Sequence, residues 1–175
     1  YLGQFILISL LFLALFWYVS NFRQEMMSSR TQTLFILLLV LVMVALTNVT
    51  VNTESISHYV IPFAIIPIFL KTFYNVRFAL FVHTLILLLA GFWVPNSYQF
   101  ILINFLAGVV AVFSMRSYYK RGILFYIALF VALTYMLLYI ILSLLQEGTF
   151  EGVNWFDLLW FAGNGLLILT VYPLI

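Results

Sequence analysis

The chain has 175 residues, of which 66% are hydrophobic and 7% charged, with a net charge of +2 and no cysteine. A soluble domain carries about 25% charged residues, so polar groups cannot cover this surface, and the lack of cysteine excludes disulfides and thiol chemistry. Lipid must cover it instead: a hydrocarbon core about 30 Å thick takes roughly 20 apolar residues per helix, with about 17 still workable, so the length allows six to eight spans and no soluble domain.

The first apolar run, Leu2–Val19, opens directly from Tyr1 with no basic leader and no starting Met, so we expect protein upstream of it. Leu34–Val51 follows. The third run, Tyr59–Phe73, is short, carries Pro62 and Pro67, and ends between Lys71 and Arg77. Pro62 is expected in its first turn, where a missing N–H costs nothing, and Pro67 is expected to kink it. Such a span should be packed among other helices. Phe78–Val94, Tyr98–Met115, Ile123–Leu145 and Phe156–Ile175 complete the series. The predicted fold class is all-α, a polytopic membrane bundle of seven helices forming a single domain over residues 1–175.

Charge placement requires the third run to cross. The cations are Arg23, Arg30, Lys71, Arg77, Arg116, Lys120 and Arg121. If Tyr59–Phe73 crosses, all of them share one face, opposite Glu54, Glu147, Glu151 and Asp157. If it is a loop, they split between the two faces. Short cytoplasmic loops carry the excess of Lys and Arg, which predicts an outside N-terminus and a cytoplasmic C-terminus. Tyr1, Tyr59, Trp93, Tyr98 and Trp155 mark one interfacial belt, and Trp17, Tyr18, Tyr74, Tyr118, Tyr119 and Tyr172 the other.

Few polar groups lie deep. At about 1.5 Å per residue, Asn164 sits about 12 Å into the last helix, between Gly163 and Gly165. Asn104 sits about 9 Å into the fifth, on a small-residue face with Ala107, Gly108 and Ala111. Two readings stand beside each other: an amide clamp across a close helix contact, or a ligand or coupling site. His83, about 9 Å into the fourth helix, is either a hydrogen-bonded neutral imidazole or a proton-sensitive switch. His58 is expected to be solvated, and Tyr135 and Tyr139, on one face of the sixth helix, to be packing residues.

Chemistry is sparse. Two His, one Asp and no Cys leave no nucleophile–base pair and no multi-ligand metal site, and HExxH, GxSxG and Gly-rich phosphate loops are absent. No lysine in the last helix can hold retinal. No carboxylate lies at mid-depth for ion-driven transport, so a small-solute transporter or channel is kept only as the alternative.

The stretches "YLGQFILISLLFLALFWYVSNFRQE", "YVIPFAIIPIFLKTFYNVRFALFVHTLILLLAGF", "FLAGVVAVFSMRSYYKRG" and "WFAGNGLLILTVYPLI", in that order, resemble the seven-helix region of bacterial receptors carrying a cytoplasmic HD phosphohydrolase domain, a family associated with cyclic di-AMP phosphodiesterases. The resemblance implies an extracellular sensor domain before these helices and a cytoplasmic HD domain after them, in a bacterial cytoplasmic membrane. No His-Asp dipeptide occurs here, so no catalytic or metal-binding residue carries over. This chain is then no enzyme and binds no cofactor, and a divalent Mn or Fe is expected only in the HD domain. Its partners are the bilayer, its own flanking domains and, where it oligomerises, a second copy. Nucleic acid is not among them. Asn104, Gly108, Asn164, Gly163, Gly165 and His83 are the candidate coupling residues, with Pro67 as the kink.

Overall fold

Apolar runs become helices throughout the described chain. The computed structural model describes residues 2–22, 29–53, 57–115, 122–148, 150 and 153–169. Seven α-helices occur among them: α1 (Leu2–Phe22), α2 (Arg30–Val51), α3 (Ile65–Phe73), α4 (Val76–Ala90), α5 (Ser97–Ser114), α6 (Gly122–Glu147) and α7 (Trp155–Ile168), with a 3-10 turn over His58–Val60. No strand occurs among the described residues. Asn75, Asn96 and Asn154 start α4, α5 and α7, their side chains accepting the backbone N–H of Phe78, Gln99 and Phe156; each satisfies one of the orphan donors of a first turn.

Among the described residues four helices are long and apolar enough to cross a membrane: α1, α2, α5 and the Phe125–Glu147 part of α6. Three apolar segments are shorter: His58–Phe73, α4 and α7. The helix anticipated from Leu34 begins earlier, at Arg30, and the one anticipated to Val94 stops at Ala90. Residues 170–175 of the last expected span lie outside the described residues, as do Arg23, Glu54, Arg116, Lys120, Arg121 and Glu151.

The third segment departs most from expectation. Pro67 makes no kink, because it lies in the first turn of α3, where a backbone N–H has no intrahelical acceptor to lose. The interruption falls earlier, and Pro62 is its cause. The residue before a proline is driven from helical to extended backbone, and Ile61 adopts φ −70°, ψ 118°. The chain therefore makes one 3-10 turn, breaks at Ile61–Phe63, and restarts at Ile65.

This broken segment lies at the centre. Ile61, Phe63, Ile66 and Leu70 join a core with α1, α2 and α4, while Tyr59, Ala64 and Ile68 join another with α5, α6 and α7. Phe63, Ala64, Ile66, Ile68 and Leu70 are completely buried. Helix α4 packs against α3, α5 and α2, and α6 packs between α5 and α7. By contrast, α1 buries only Leu15 and touches the bundle chiefly through α4, where Tyr18 stacks on Phe81 at a centroid distance of 4.5 Å.

Lys71, in the last turn of α3, closes the end of α5. Its Nζ donates to the carbonyls of Val112 at 2.8 Å and Met115 at 2.6 Å, at a helix end where the last carbonyls lack the donors of a following turn and only Val112 O receives a backbone N–H, from Met115. Lys71→Met keeps the aliphatic stem and removes both bonds. Thermal unfolding of the detergent-solubilised bundle, followed by near-UV circular dichroism, is expected to report a loss of about 1.5–3 kcal/mol, the scale of hydrogen bonds to charged groups. An unchanged midpoint would mean that the ammonium contributes nothing there.

Candidate functional site

A helix interrupted inside a packed bundle leaves buried carbonyls without their helical donors. In a continuous helix the Tyr59 carbonyl would accept the N–H of Phe63, but Phe63 N–H turns to Ile61 O at 2.9 Å instead. Asn164 takes over. Fully buried on α7, its Nδ2 donates to Tyr59 O at 3.0 Å and to Ile61 O at 2.9 Å. One amide group thereby closes the break and joins the last helix to the third.

A second amide lies beside the first. Asn104, buried on α5, donates from Nδ2 to Phe100 O at 2.8 Å and accepts the Tyr135 hydroxyl on Oδ1 at 3.0 Å. These two bonds fix which way the amide points. The Tyr135 hydroxyl thereby ties α6 to the Asn104 amide on α5. On the far side, His83 of α4 meets the backbone carbonyl of Asn104 through Nε2 at 3.1 Å. A carbonyl only accepts, so Nε2 carries the proton; Nδ1 is then an acceptor, buried without a partner, as is Asn164 Oδ1. The network spans α4, α5, α6, α7 and the break without a single charged side chain.

The three candidate glycines have different surroundings. A Cβ on Gly108 would collide with the His83 imidazole, so the missing side chain is what admits His83 against α5. On Gly165 it would meet the Cβ of Ala132 at 2.5 Å and the Ala128 carbonyl at 3.1 Å, the mark of a close α6–α7 crossing. Gly163 has nothing within 4 Å and takes no part in the contact. Pro67 is buried next to the network but makes none of its bonds.

Sequence reasoning treated Tyr135 and Tyr139 as packing residues, yet both use their hydroxyls. Tyr139 donates to Asp157 Oδ2 at 3.1 Å and accepts the backbone N–H of Asn154 at 3.2 Å, tying α6 to the first turn of α7. A buried phenol needs a hydrogen-bond partner, and that requirement was the signal available in the sequence. His58 is not simply solvated either: its ring lies against Tyr59, with centroids 4.2 Å apart, and its Nε2 is buried. Among the described residues no three His, Asp or Glu side chains are grouped to hold a metal. The arrangement can hold helices in register and redistribute hydrogen bonds.

Residues 1–175 match the family model described as 7TM receptor with intracellular HD hydrolase. Comparison with curated proteins and with solved structures found no match.

The glycines give an internally controlled test. Gly165→Ala, opposed by backbone, and Gly108→Ala, opposed by a hydrogen-bonded ring, are each expected to cost about 1–3 kcal/mol as overpacking. Gly163→Ala should be neutral or slightly stabilising, because alanine is the better helix former. Thermal unfolding of the three variants in the same detergent checks the ranking, and equal effects at all three positions would contradict the close approaches described.

Proposed function

The chain belongs to the family of 7TM receptors with an intracellular HD hydrolase, and from that premise we propose that its helices transmit a signal from an extracellular sensor domain to a cytoplasmic HD phosphodiesterase. In this reading the seven helices all cross a bacterial cytoplasmic membrane, with the N-terminus outside and the C-terminus inside. The hydrolase beyond the last helix cleaves a cyclic dinucleotide, cyclic di-AMP, with a divalent metal.

Charge supports the orientation. With short connections making neighbouring helices antiparallel, Arg30 at the start of α2, Lys71 at the end of α3 and Arg77 at the start of α4 share one end of the bundle, while Glu147 and Asp157 share the other. The basic end is the one that remains in the cytoplasm.

The observation that carries transmission is the Asn164 amide on the carbonyls of Tyr59 and Ile61. Coupling needs an element with two arrangements that both ends of the molecule bias differently. A broken segment whose carbonyls are satisfied by a side chain of another helix is such an element, since a shift of α7 exchanges those bonds. The input helix is α1, held through few contacts and so free to move against the bundle. The output helix is α7, which leads towards the hydrolase.

The test uses the full-length receptor in proteoliposomes with cyclic di-AMP and Mn. Asn164→Leu is expected to change the hydrolysis rate by about fivefold or more, the lower end of common coupling energies, while Gly163→Ala, on the same turn, leaves it unchanged. A wild-type rate in a correctly inserted Asn164→Leu protein would remove this residue from the transmission path.

A further inference from the structure

Although consecutive in sequence, α1 and α2 are not packed together. A cleft separates them, with one compartment of about 800 Å³ between the first half of α1, the second half of α2 and the end of α4. A second compartment, of about 320 Å³, lies between the other halves of α1 and α2. Phe12 and Leu37 line both and form a waist between them. In the larger compartment Ile8 of α1 and Leu41, Val44 and Ala45 of α2 make apolar walls. The polar and amphipathic groups there, Gln4, Asn48 and Trp93, all belong to the end of the bundle where α1 begins and α2 finishes. The walls lead away from it towards mid-depth.

We propose that the larger compartment is a binding site for one phospholipid, its acyl chain lying between α1 and α2 and its headgroup held by the Gln4 and Asn48 amides beneath Trp93. Three observations select this occupant. The lining changes from amide and indole at the mouth to aliphatic and aromatic within, which is the polarity profile of a lipid, and Trp belongs at the headgroup level. Among the described residues no charged side chain lines the mouth, which suits a zwitterionic headgroup rather than an anionic one. The volume lies within the roughly 300–1,000 Å³ of ligand pockets. A helix from a second copy, about 10 Å wide and about 30 Å tall, would need roughly 2,300 Å³ and would strike the waist at Phe12 and Leu37.

Bulk lipid is as apolar as the walls, so the hydrophobic effect does not retain this chain. Shape and the two amide hydrogen bonds must. Two such bonds supply about tenfold enrichment over ordinary boundary lipid.

The probe is phosphatidylethanolamine carrying a photoreactive diazirine midway along one acyl chain, incorporated with the seven-helix chain into nanodiscs; labelled peptides are quantified by mass spectrometry. Labelling of Ile8, Val44 and their neighbours is expected to exceed labelling of the outward face of α6, at Phe130, Leu133 and Leu137, by about tenfold. Ala45→Trp, which fills the compartment from an exposed position, should bring it down to the α6 level, and the Gln4→Leu, Asn48→Leu double variant should lower it by a similar factor. Unchanged labelling of α6 in each variant reports that the bundle is intact. Equal labelling of all lipid-facing helices, labelling indifferent to Ala45→Trp, or chain-to-chain crosslinks through α1 and α2 in place of lipid adducts would each overturn the proposal.

Discussion

Every buried backbone carbonyl must find a donor within the protein, and at Pro62 the Tyr59 carbonyl loses its helical donor because Phe63 N–H turns to Ile61 O. An unsatisfied group in hydrocarbon costs several kcal/mol, more than any single packing contact nearby returns. The Asn164 amide, donating to Tyr59 O and Ile61 O, is therefore the interaction on which the remaining arrangement depends. It requires α7 to lie beside the break, which in turn requires the close α6–α7 crossing at Gly165 and Ala132. Irregular backbone is tolerated inside the bundle where other helices enclose it and satisfy its polar groups, and the broken segment is accordingly buried among them.

The same constraint divides the bundle into unequal parts. Helices α3, α4 and α5 form a buried centre, where Asn104 joins His83 to Tyr135. Helix α1 lies outside it, with one buried residue and a cleft on the side facing α2. In the transmission proposed above, the loosely held first helix is the input and the tightly bonded centre is what responds. Interhelical hydrogen bonds in membranes contribute only about 0.6–2 kcal/mol each, so a network of a few can hold one arrangement and still exchange it for another.

The sequence made the helical class and the approximate position of each helix legible, because runs of apolar residues separated by Asn, Ser and charge clusters leave few alternatives. It also singled out Asn164, Asn104 and His83 by depth alone, since a polar group in the middle of an apolar run has to bond to something. The partner was not legible: the amide of Asn164 reaches carbonyls a hundred residues away, and no local pattern records that. The effect of the prolines was misplaced for a related reason. A proline kink at Pro67 presumes a helix already running before it, whereas Pro62 stops that helix and turns Pro67 into a first-turn residue. Tyr135 and Tyr139 sit on an ordinary helical face, and only the three-dimensional packing shows that their hydroxyls reach Asn104 and Asp157. Gly163 and Gly165 look equivalent in sequence, yet only Gly165 faces a neighbouring helix.

Backbone hydrogen exchange across residues 57–66, in nanodiscs, tests most directly whether Asn164 holds the break together. The amides of Val60, Ile61, Phe63 and Ile65 close the turns of this segment, so in the wild-type chain they should exchange slowly. With Asn164 replaced by Leu they should exchange much faster while α6 stays protected. Protection of residues 57–66 that persists in that variant would contradict the account, because the break would then be stable without the amide that is said to close it.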